Sequence, residues 1–203
     1  MSRIVTEDAA PTDMNIMSAI YNRRAVRSNK EQPIDVEKID ALLKAAVHAP
    51  SAVDEEPWAF AIIQDKAILK RLSESAKKIM SSTLHEPSES HFIERFTQPD
   101  FKAFYDAGTL IVIYGKPLGP FVSADCWLAA ENLMLAAYGM GLSTCVIGSV
   151  VAALNSPEWK KEFTIPEDMT AYLASLLEFK CGIILCDYRN KENSPCFISG
   201  NKK

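Results

Sequence analysis

Three arginines lie within five residues near the start of the chain, where a predicted helix ends. They are Arg23, Arg24 and Arg27. A guanidinium group presents a planar fork of N–H donors that matches phosphate oxygens, so this cluster could hold one phosphate group. Cations at a helix C-terminus are also favoured by the helix dipole. The cluster alone does not separate the two interpretations.

The other residues that could bind a metal are histidines and cysteines. His85 and His91 have no third candidate ligand nearby, and we expect them to face solvent. Cys181 and Cys186 alternate with apolar residues in CGIILC, and we interpret them as core thiols. The chain has five cysteines, an odd number that a reducing compartment would keep as thiols. The sequence therefore predicts no metal site.

The helix that must position the arginines is predicted to begin near Asp13, a plausible N-cap. Its apolar face consists of Ile16, Met17, Ile20 and Tyr21. Residues 1–12 precede it, and we expect them to form a mobile arm. We expect residues 13–203 to form a single domain, because no composition break or linker divides them.

A second helix is predicted after Asp35, with an apolar stripe at helical spacing: Ile39, Leu42, Leu43, Ala46 and Val47. It should end before Ala49-Pro50, because a proline disfavours the helical conformation of the residue before it. The loop that follows carries the acids Asp54-Glu55-Glu56, and Trp58 directly after it should pin the loop to the core.

Residues 125–148 are the centre of the predicted fold. The helix from Cys126 to Tyr138 is apolar on every face apart from Asp125, Glu131 and Asn132, so we expect it to be buried all round. Two glycines end it, and Ser143 to Ile147 reads as a short buried strand ending at Gly148. Polar residues and glycines interrupt the apolar run, which argues against a membrane span.

The remaining pattern alternates further helices and buried strands. We predict a helix over 66–80 capped by Asp65, strands over 59–63, 109–114, 172–177 and 181–186, and a short helix after Ser156. The polar residues 81–104 lack periodicity, as lids and binding loops often do.

Charge and the N-terminus exclude some function classes. With 22 basic and 26 acidic residues the net charge is -4, which gives no general attraction for nucleic acid. The first 15 residues contain no apolar h-region of a secretory signal, so we expect a cytoplasmic protein without a membrane partner.

Four motifs, in order along residues 14–188, resemble the nitroreductase family of FMN-dependent oxidoreductases. They are the basic run Tyr21 to Arg27, the helix and Ala-Pro-Ser turn from Leu42 to Ala52, the strand start Pro57-Trp58-Ala59-Phe60, and the central helix and strand from Asp125 to Gly148. Each motif is weak alone, but four in order are fairly specific.

The resemblance implies an α+β sandwich with a mixed central sheet flanked by helices, made as an intertwined homodimer with two FMN molecules at the subunit interface. Arg23, Arg24, Ala25 and Arg27 would surround the FMN phosphate and the pyrimidine edge of the ring, Pro50, Ser51 and Ala52 would reach the flavin from the other subunit, Asp54 would lie near the ring, and Ile147 and Gly148 would lie against it. The dimer mate would also give Glu131 a partner.

Three departures from the family pattern stand out. The family commonly has serine at Ala25, and Asn-x-Gln where this chain has Asp54-Glu55-Glu56. It also usually places a basic residue after the final strand, for which Arg189, Lys191 and the terminal lysines are candidates here.

The resemblance implies a reaction in which NAD(P)H reduces FMN and a small acceptor, such as a nitroaromatic or a quinone, then reoxidises it. The cofactor carries the chemistry, so we name no catalytic acid or base. Reductive dehalogenation and flavin fragmentation are alternative activities on this fold. A flavin-binding sensor or store with little turnover is an alternative of a different class.

Overall fold

The structure is a computed structural model that describes residues 15–27, 32–83, 98 and 101–179. The helices described are α1 (Ile16–Asn22), α2 (Val36–Ala46), α3 (Lys66–Thr83), α4 (Val122–Gly139), α5 (Val151–Leu154) and α6 (Pro157–Glu162). The strands are β1 (Trp58–Ile63), β2 (Thr109–Gly115), β3 (Leu142–Val146) and β4 (Thr170–Phe179). Short 3-10 turns at Ala52–Asp54 and Gly148–Val150 follow α2 and β3.

The four strands form one sheet in the order β1-β2-β4-β3, and all three neighbouring pairs are antiparallel. A parallel component comes from an isolated bridge between Ala25 and Thr144 at the β3 edge. Every residue of β2 is buried, which is expected of a strand covered on both faces. The α+β class expected from the sequence is confirmed.

Alternate residues of β2 point to opposite faces of the sheet and enter different cores. Ile111 and Ile113 pack in one core with α2 and α4. Leu110 and Val112 pack in the other core, with α3, α5 and α6. The result is a sandwich in which the sheet is the middle layer.

The start of α1 differs from the sequence prediction. Its N-cap is Asn15, whose Oδ1 accepts a hydrogen bond from Met17 N at 2.8 Å. Asp13 lies outside the described residues. Asparagine and aspartate are both good caps, so side-chain type could not choose between two candidates two residues apart.

The next helices agree closely with the sequence. The α2 stripe is buried at Ile39, Leu42 and Ala46. Asp65 caps α3, because its Oδ1 accepts from Ala67 N at 2.8 Å and from Ile68 N at 3.0 Å. The short helix after Ser156 is also confirmed as α6.

The prediction that the central helix is buried all round is wrong for the single chain. Helix α4 buries one face against α2 and the sheet. On its other side Trp127 is 46% exposed and Leu128 is 45% exposed. The sequence shows that a surface is apolar, but it does not show which molecule covers that surface.

Glu131 and Asn132, two of the polar residues of α4, both have partners within the same chain. Glu131 is exposed, and its Oε1 lies 4.0 Å from Arg23 Nε of the same chain. Asn132 Nδ2 donates to Ala45 O at 3.3 Å, which ties α4 to α2. Glu131 therefore does not need a second subunit to find a charged partner.

Several sequence predictions fall outside the described residues. They concern the arm 1–12, the histidines, the strand 181–186 with its two cysteines, and the basic residues Arg189 and Lys191. Within the described part of the chain, histidine, cysteine and acidic side chains form no cluster that could hold a metal ion. No helix of that part is both long and apolar enough to cross a membrane.

Candidate functional site

The arginine segment runs beside strand β3. Ala25 forms the parallel bridge with Thr144, and Val26 N donates to Thr144 O at 3.1 Å. Because β3 is the last strand of the sheet, its outer edge is open to this contact. The segment after α1 is thereby fixed next to the strand that leads to Ile147 and Gly148.

The three arginines have different partners. Arg24 Nη1 donates to Tyr21 O and to Arg23 O, each at 2.8 Å, and so caps the end of α1. Arg23 is partly exposed and lies beside Glu131, at the 4.0 Å given above. Arg27 is exposed, with no hydrogen bond or ion pair to the described residues. Helix capping, the simpler of the two sequence interpretations, thus accounts for Arg24, while Arg23 and Arg27 remain available to an anion.

Ile147 and Gly148 follow β3 directly, as predicted. Ile147 is buried, and its N donates to Ala174 O at 2.8 Å. Gly148 starts a 3-10 turn, and a Cβ built on it would meet no atom of the described residues within 4 Å. The space over Gly148 is therefore open, and the missing side chain permits a flat group to approach the backbone.

The loop with Pro50, Ser51, Ala52 and Asp54 lies at the start of α4. Ala52 N donates to Asp125 Oδ1 at 3.1 Å, and Glu56 N donates to Ser51 Oγ at 3.0 Å. Asp125 is buried in the core that contains α2. The Asp125 carboxylate therefore holds this loop against the body of the protein, while the Ser51 hydroxyl closes the loop on itself.

The acidic part of the same loop has an unusual backbone. Val53, Asp54 and Glu56 have φ of 53°, 59° and 45°, a left-handed region that costs energy for residues other than glycine. Val53 is 92% exposed, so packing of its side chain does not enforce the conformation. Strained residues of this kind occur often at binding sites.

Thr144 is a site candidate that the sequence did not single out. Its side chain is buried, and its Oγ1 has no hydrogen-bond partner among the described residues. A buried hydroxyl without a partner is unfavourable. In the sequence Thr144 is one small residue of a buried strand, so nothing distinguished it from a packing residue.

Asp125 is a second residue with an unpredicted role. The sequence marked it only as a polar interruption of an apolar helix. The structure shows that its carboxylate orders the loop of Ala52, an arrangement that depends on contact between residues far apart in the chain.

Cys126, next to Asp125, is not a nucleophile. Burial, with a smaller contribution from the neighbouring Asp125 charge, raises the pKa of its thiol to about 12. The reactive form of cysteine is the thiolate, and that form is suppressed at neutral pH. The Sγ lies 3.9 Å from Tyr114 O in the core, so the residue has a packing role.

A cavity of about 430 Å³ lies elsewhere, between α3 and residues 101–107. None of the expected site residues lines it. Its position on the α3 side of the sheet separates it from the arginine segment.

Together these residues fit a planar ligand with a terminal phosphate. The arginines supply cations for the phosphate, Gly148 leaves space for a ring, and Thr144 has an unused hydroxyl between them. From Thr144 to Gly148 the chain covers four residues, or about 13 Å at about 3.3 Å per residue. The sequence resemblance implies a ligand of this kind, flavin mononucleotide.

Comparison with known proteins identifies the family to which the sequence motifs point. A family model described as "Nitroreductase family" matches residues 20–175. A putative NADH dehydrogenase/NAD(P)H nitroreductase from Methanothermobacter thermautotrophicus is 25% identical, over 81% of this chain and 77% of that protein. An iodotyrosine deiodinase from Thermotoga neapolitana is 28% identical, over 60% of this chain and 67% of its own length.

Among solved structures, a nitroreductase from Bacteroides fragilis with bound FMN superposes with a TM-score of 0.76 at 25% identity. The match covers 92% of this chain and all of the other.

Proposed function

The chain belongs to the nitroreductase family, and from that premise we propose that it is an FMN-dependent oxidoreductase that uses NAD(P)H to reduce a small acceptor such as a nitroaromatic or a quinone. The observation that carries the proposal is the Ala25–Thr144 bridge. It holds a cluster of cations beside the strand whose end carries the open Gly148. The bound FMN of the B. fragilis relative supports the choice of cofactor.

Each part of the site has a task in binding. Arg23 and Arg27 attract the phosphate and bind its oxygens with charge-assisted hydrogen bonds. Gly148 lets the isoalloxazine ring approach the backbone closely, while Ile147 packs in the core and anchors the start of the turn. Asp125 fixes the loop of Ser51 and Ala52 by accepting from the Ala52 amide.

FMN, when bound, would accept a hydride from NAD(P)H and pass its electrons to the second substrate. The protein's contribution is to hold the ring and leave one side of it accessible to both substrates in turn. A reaction of this kind needs no side chain as acid, base or nucleophile. The protonated Cys126 in the core is consistent with that view.

We further propose that the working form is a homodimer. The exposed apolar side chains of α1 and α4 include Ile16, Ile20, Tyr21, Trp127 and Leu128, and a surface of this kind marks an interface. The strained loop of Pro50, Ser51, Ala52 and Asp54 would then meet the flavin of the other subunit. Light scattering at micromolar concentration should show a dimer, whereas a stable folded monomer would contradict this part of the proposal.

The direct test of the activity is steady-state oxidation of NADH and of NADPH by the FMN-loaded protein with a nitroaromatic or a quinone. We expect turnover with parallel double-reciprocal lines, because the two substrates use the same site in sequence. Rapid mixing of each nucleotide with the loaded protein separates an enzyme from a sensor or store. Slow bleaching of the flavin with both nucleotides would contradict the enzyme and favour the store.

Reductive dehalogenation is the second candidate, and the similarity to an iodotyrosine deiodinase favours it. It is distinguished by its product, since iodide release from 3-iodotyrosine by the reduced protein can be measured separately from nitro reduction. Iodide release with no reduction of nitroaromatics or quinones would replace the leading proposal.

A further inference from the structure

The side-chain hydroxyl of Thr144 is the feature of the site whose role remains open. Thr144 is 3% exposed, and its Oγ1 makes no hydrogen bond within the part of the chain that the structure describes. A hydroxyl loses its bonds to water on burial and regains nothing unless a partner is present. Threonine at this position is thus unfavourable for the chain without ligand, because valine would fill the same volume without a polar atom.

The face on which Thr144 lies is set by the alternation of β3. Leu142, Thr144 and Val146 share one face, and Leu142 and Val146 pack in the core of α2 and α4. Ser143 and Cys145 point to the other face, and Cys145 packs in the core of α3. Of these three residues only Thr144 is polar, and it lies on the face of β3 that α4 covers. Glu131 of α4 is the residue that pairs with Arg23.

The bridge with Ala25 then places that hydroxyl beside the arginine segment. Bridged residues of parallel strands direct their side chains to the same face, so the Ala25 methyl group and the Thr144 side chain are neighbours. Ala25 has no polar atom that could satisfy the hydroxyl, and it is exposed. A ligand over Ala25, between Arg23 and Arg27, would lie on the side of the segment that faces the Thr144 side chain.

We propose that Thr144 is a phosphate-binding residue whose hydroxyl donates a hydrogen bond to a phosphate oxygen of FMN. The inference rests on the proposed function, because it takes the ligand of the arginine segment to be FMN. The terminal phosphate is an acceptor, which matches an unused O–H donor, and its negative charge strengthens the bond. Thr144 thereby adds a short, fixed donor to the long, flexible arginines.

The experiment compares FMN with riboflavin, which has the same ring and ribityl chain but no phosphate. Apoprotein is titrated with each flavin, and the dissociation constants are measured from the quenching of flavin fluorescence. We expect Thr144→Val to weaken FMN binding roughly tenfold to a hundredfold and to leave riboflavin binding unchanged. The apoprotein of this variant should melt at the same temperature as the wild type or higher, because a buried hydroxyl without a partner has been removed.

Two controls accompany the measurement. Ser143→Ala removes the adjacent hydroxyl on the opposite face of β3 and should leave the ratio of the two dissociation constants unchanged. Thr144→Ser keeps the donor and should preserve tight FMN binding. If Thr144→Val does not fold, the pair Thr144→Ala and Thr144→Ser makes the same comparison, since both lack the methyl group and one retains the hydroxyl.

Each result decides a separate question. Unchanged FMN affinity in Thr144→Val, or an equal loss for FMN and riboflavin, would overturn the phosphate role of Thr144 while the proposed function stands. Wild-type protein that binds riboflavin as tightly as FMN would overturn the phosphate site itself. Wild-type protein that binds neither flavin would overturn the proposed function, and the role of Thr144 with it.

Discussion

Replacing Gly148 by alanine separates a contact with the flavin from an effect on folding. The added Cβ would meet no atom within 4 Å in the part of the chain that the structure describes, so the substitution creates no clash there without ligand. Replacing glycine by alanine at a compatible position stabilises a protein by about 0.4–1 kcal/mol, because the unfolded chain loses freedom. We therefore expect the apoprotein to be as stable as the wild type or slightly more stable.

The same substitution should be unfavourable for FMN binding, because the flavin ring is expected to lie against Gly148. Packed atoms are about 3.5–4 Å apart, which leaves no room for a new carbon between the backbone and the ring. Inserting a carbon into a packed contact costs typically about 1–3 kcal/mol. At about 1.4 kcal/mol per factor of ten, Gly148→Ala should bind FMN roughly five- to a hundredfold more weakly.

The assay combines thermal melting of the apoprotein with FMN titration. Gly139→Ala is the matched control, because a Cβ at Gly139 also meets no described atom within 4 Å and the residue ends α4, away from the turn after β3. We expect this control to bind FMN normally. Wild-type affinity in Gly148→Ala would show that the ring does not lie on this residue, and a loss of apoprotein stability would show that the space over it is not open.

Three further predictions test other parts of the site and core. Arg23→Ala should weaken FMN binding roughly ten- to a hundredfold, because charge-assisted hydrogen bonds contribute about 1.5–3 kcal/mol each; equal affinity would leave the arginine only its contact with Glu131. Asp54→Asn should raise the two-electron potential of bound flavin by a few tens of millivolts, since a nearby carboxylate disfavours the more negative reduced form and solvent screens it; equal potentials in a spectroelectrochemical titration would mean that Asp54 faces solvent. Burial raises the pKa of Cys126 from 9.0 and of Tyr114 from 10.0, both to about 12, so the folded state keeps protons that the unfolded state loses. The contribution of these two groups to the free energy of unfolding should be fully present below pH about 9 and should be lost as the pH rises towards about 12. The urea midpoints of Cys126→Ala and Tyr114→Phe should therefore decline less steeply with pH than the wild-type midpoint. An equally steep decline would contradict this.

Local patterns predicted the elements whose signals are contained in one segment. The stripe from Ile39 to Val47 and the cap Asp65 each involve residues a few positions apart, and both were confirmed. The strand at 109–114 was identified by its continuous apolar run, which is typical of a strand buried on both faces. The sequence also predicted that glycines end the central helix before β3. Gly141 at this position has a φ of 74°, which other residues rarely adopt.

Features that depend on distant contacts could not be predicted from the sequence. The burial of α4 depends on what covers Trp127 and Leu128, and an apolar pattern does not identify the covering molecule. The roles of Asp125 and Thr144 follow from their contacts with Ala52 and Ala25, which lie far away along the chain. The four-residue helix α5 after Gly148 is too short to show a periodic signal.

Of the candidate site, the sequence predicted the parts that the family motifs contain. The arginine segment and Gly148 are expected at the flavin, and in the structure the segment runs beside β3, the strand that ends just before Gly148. Helix capping by Arg24 shows why residue type alone was ambiguous, since one side chain suits both a helix end and a phosphate.

The most direct test of the central claim is the visible absorption spectrum of the purified protein, together with identification of the flavin released on denaturation. The account predicts a yellow protein that releases FMN and not FAD, because the arginine segment suits a single terminal phosphate. A colourless protein that cannot be reconstituted with FMN, or a protein that releases FAD, would contradict it.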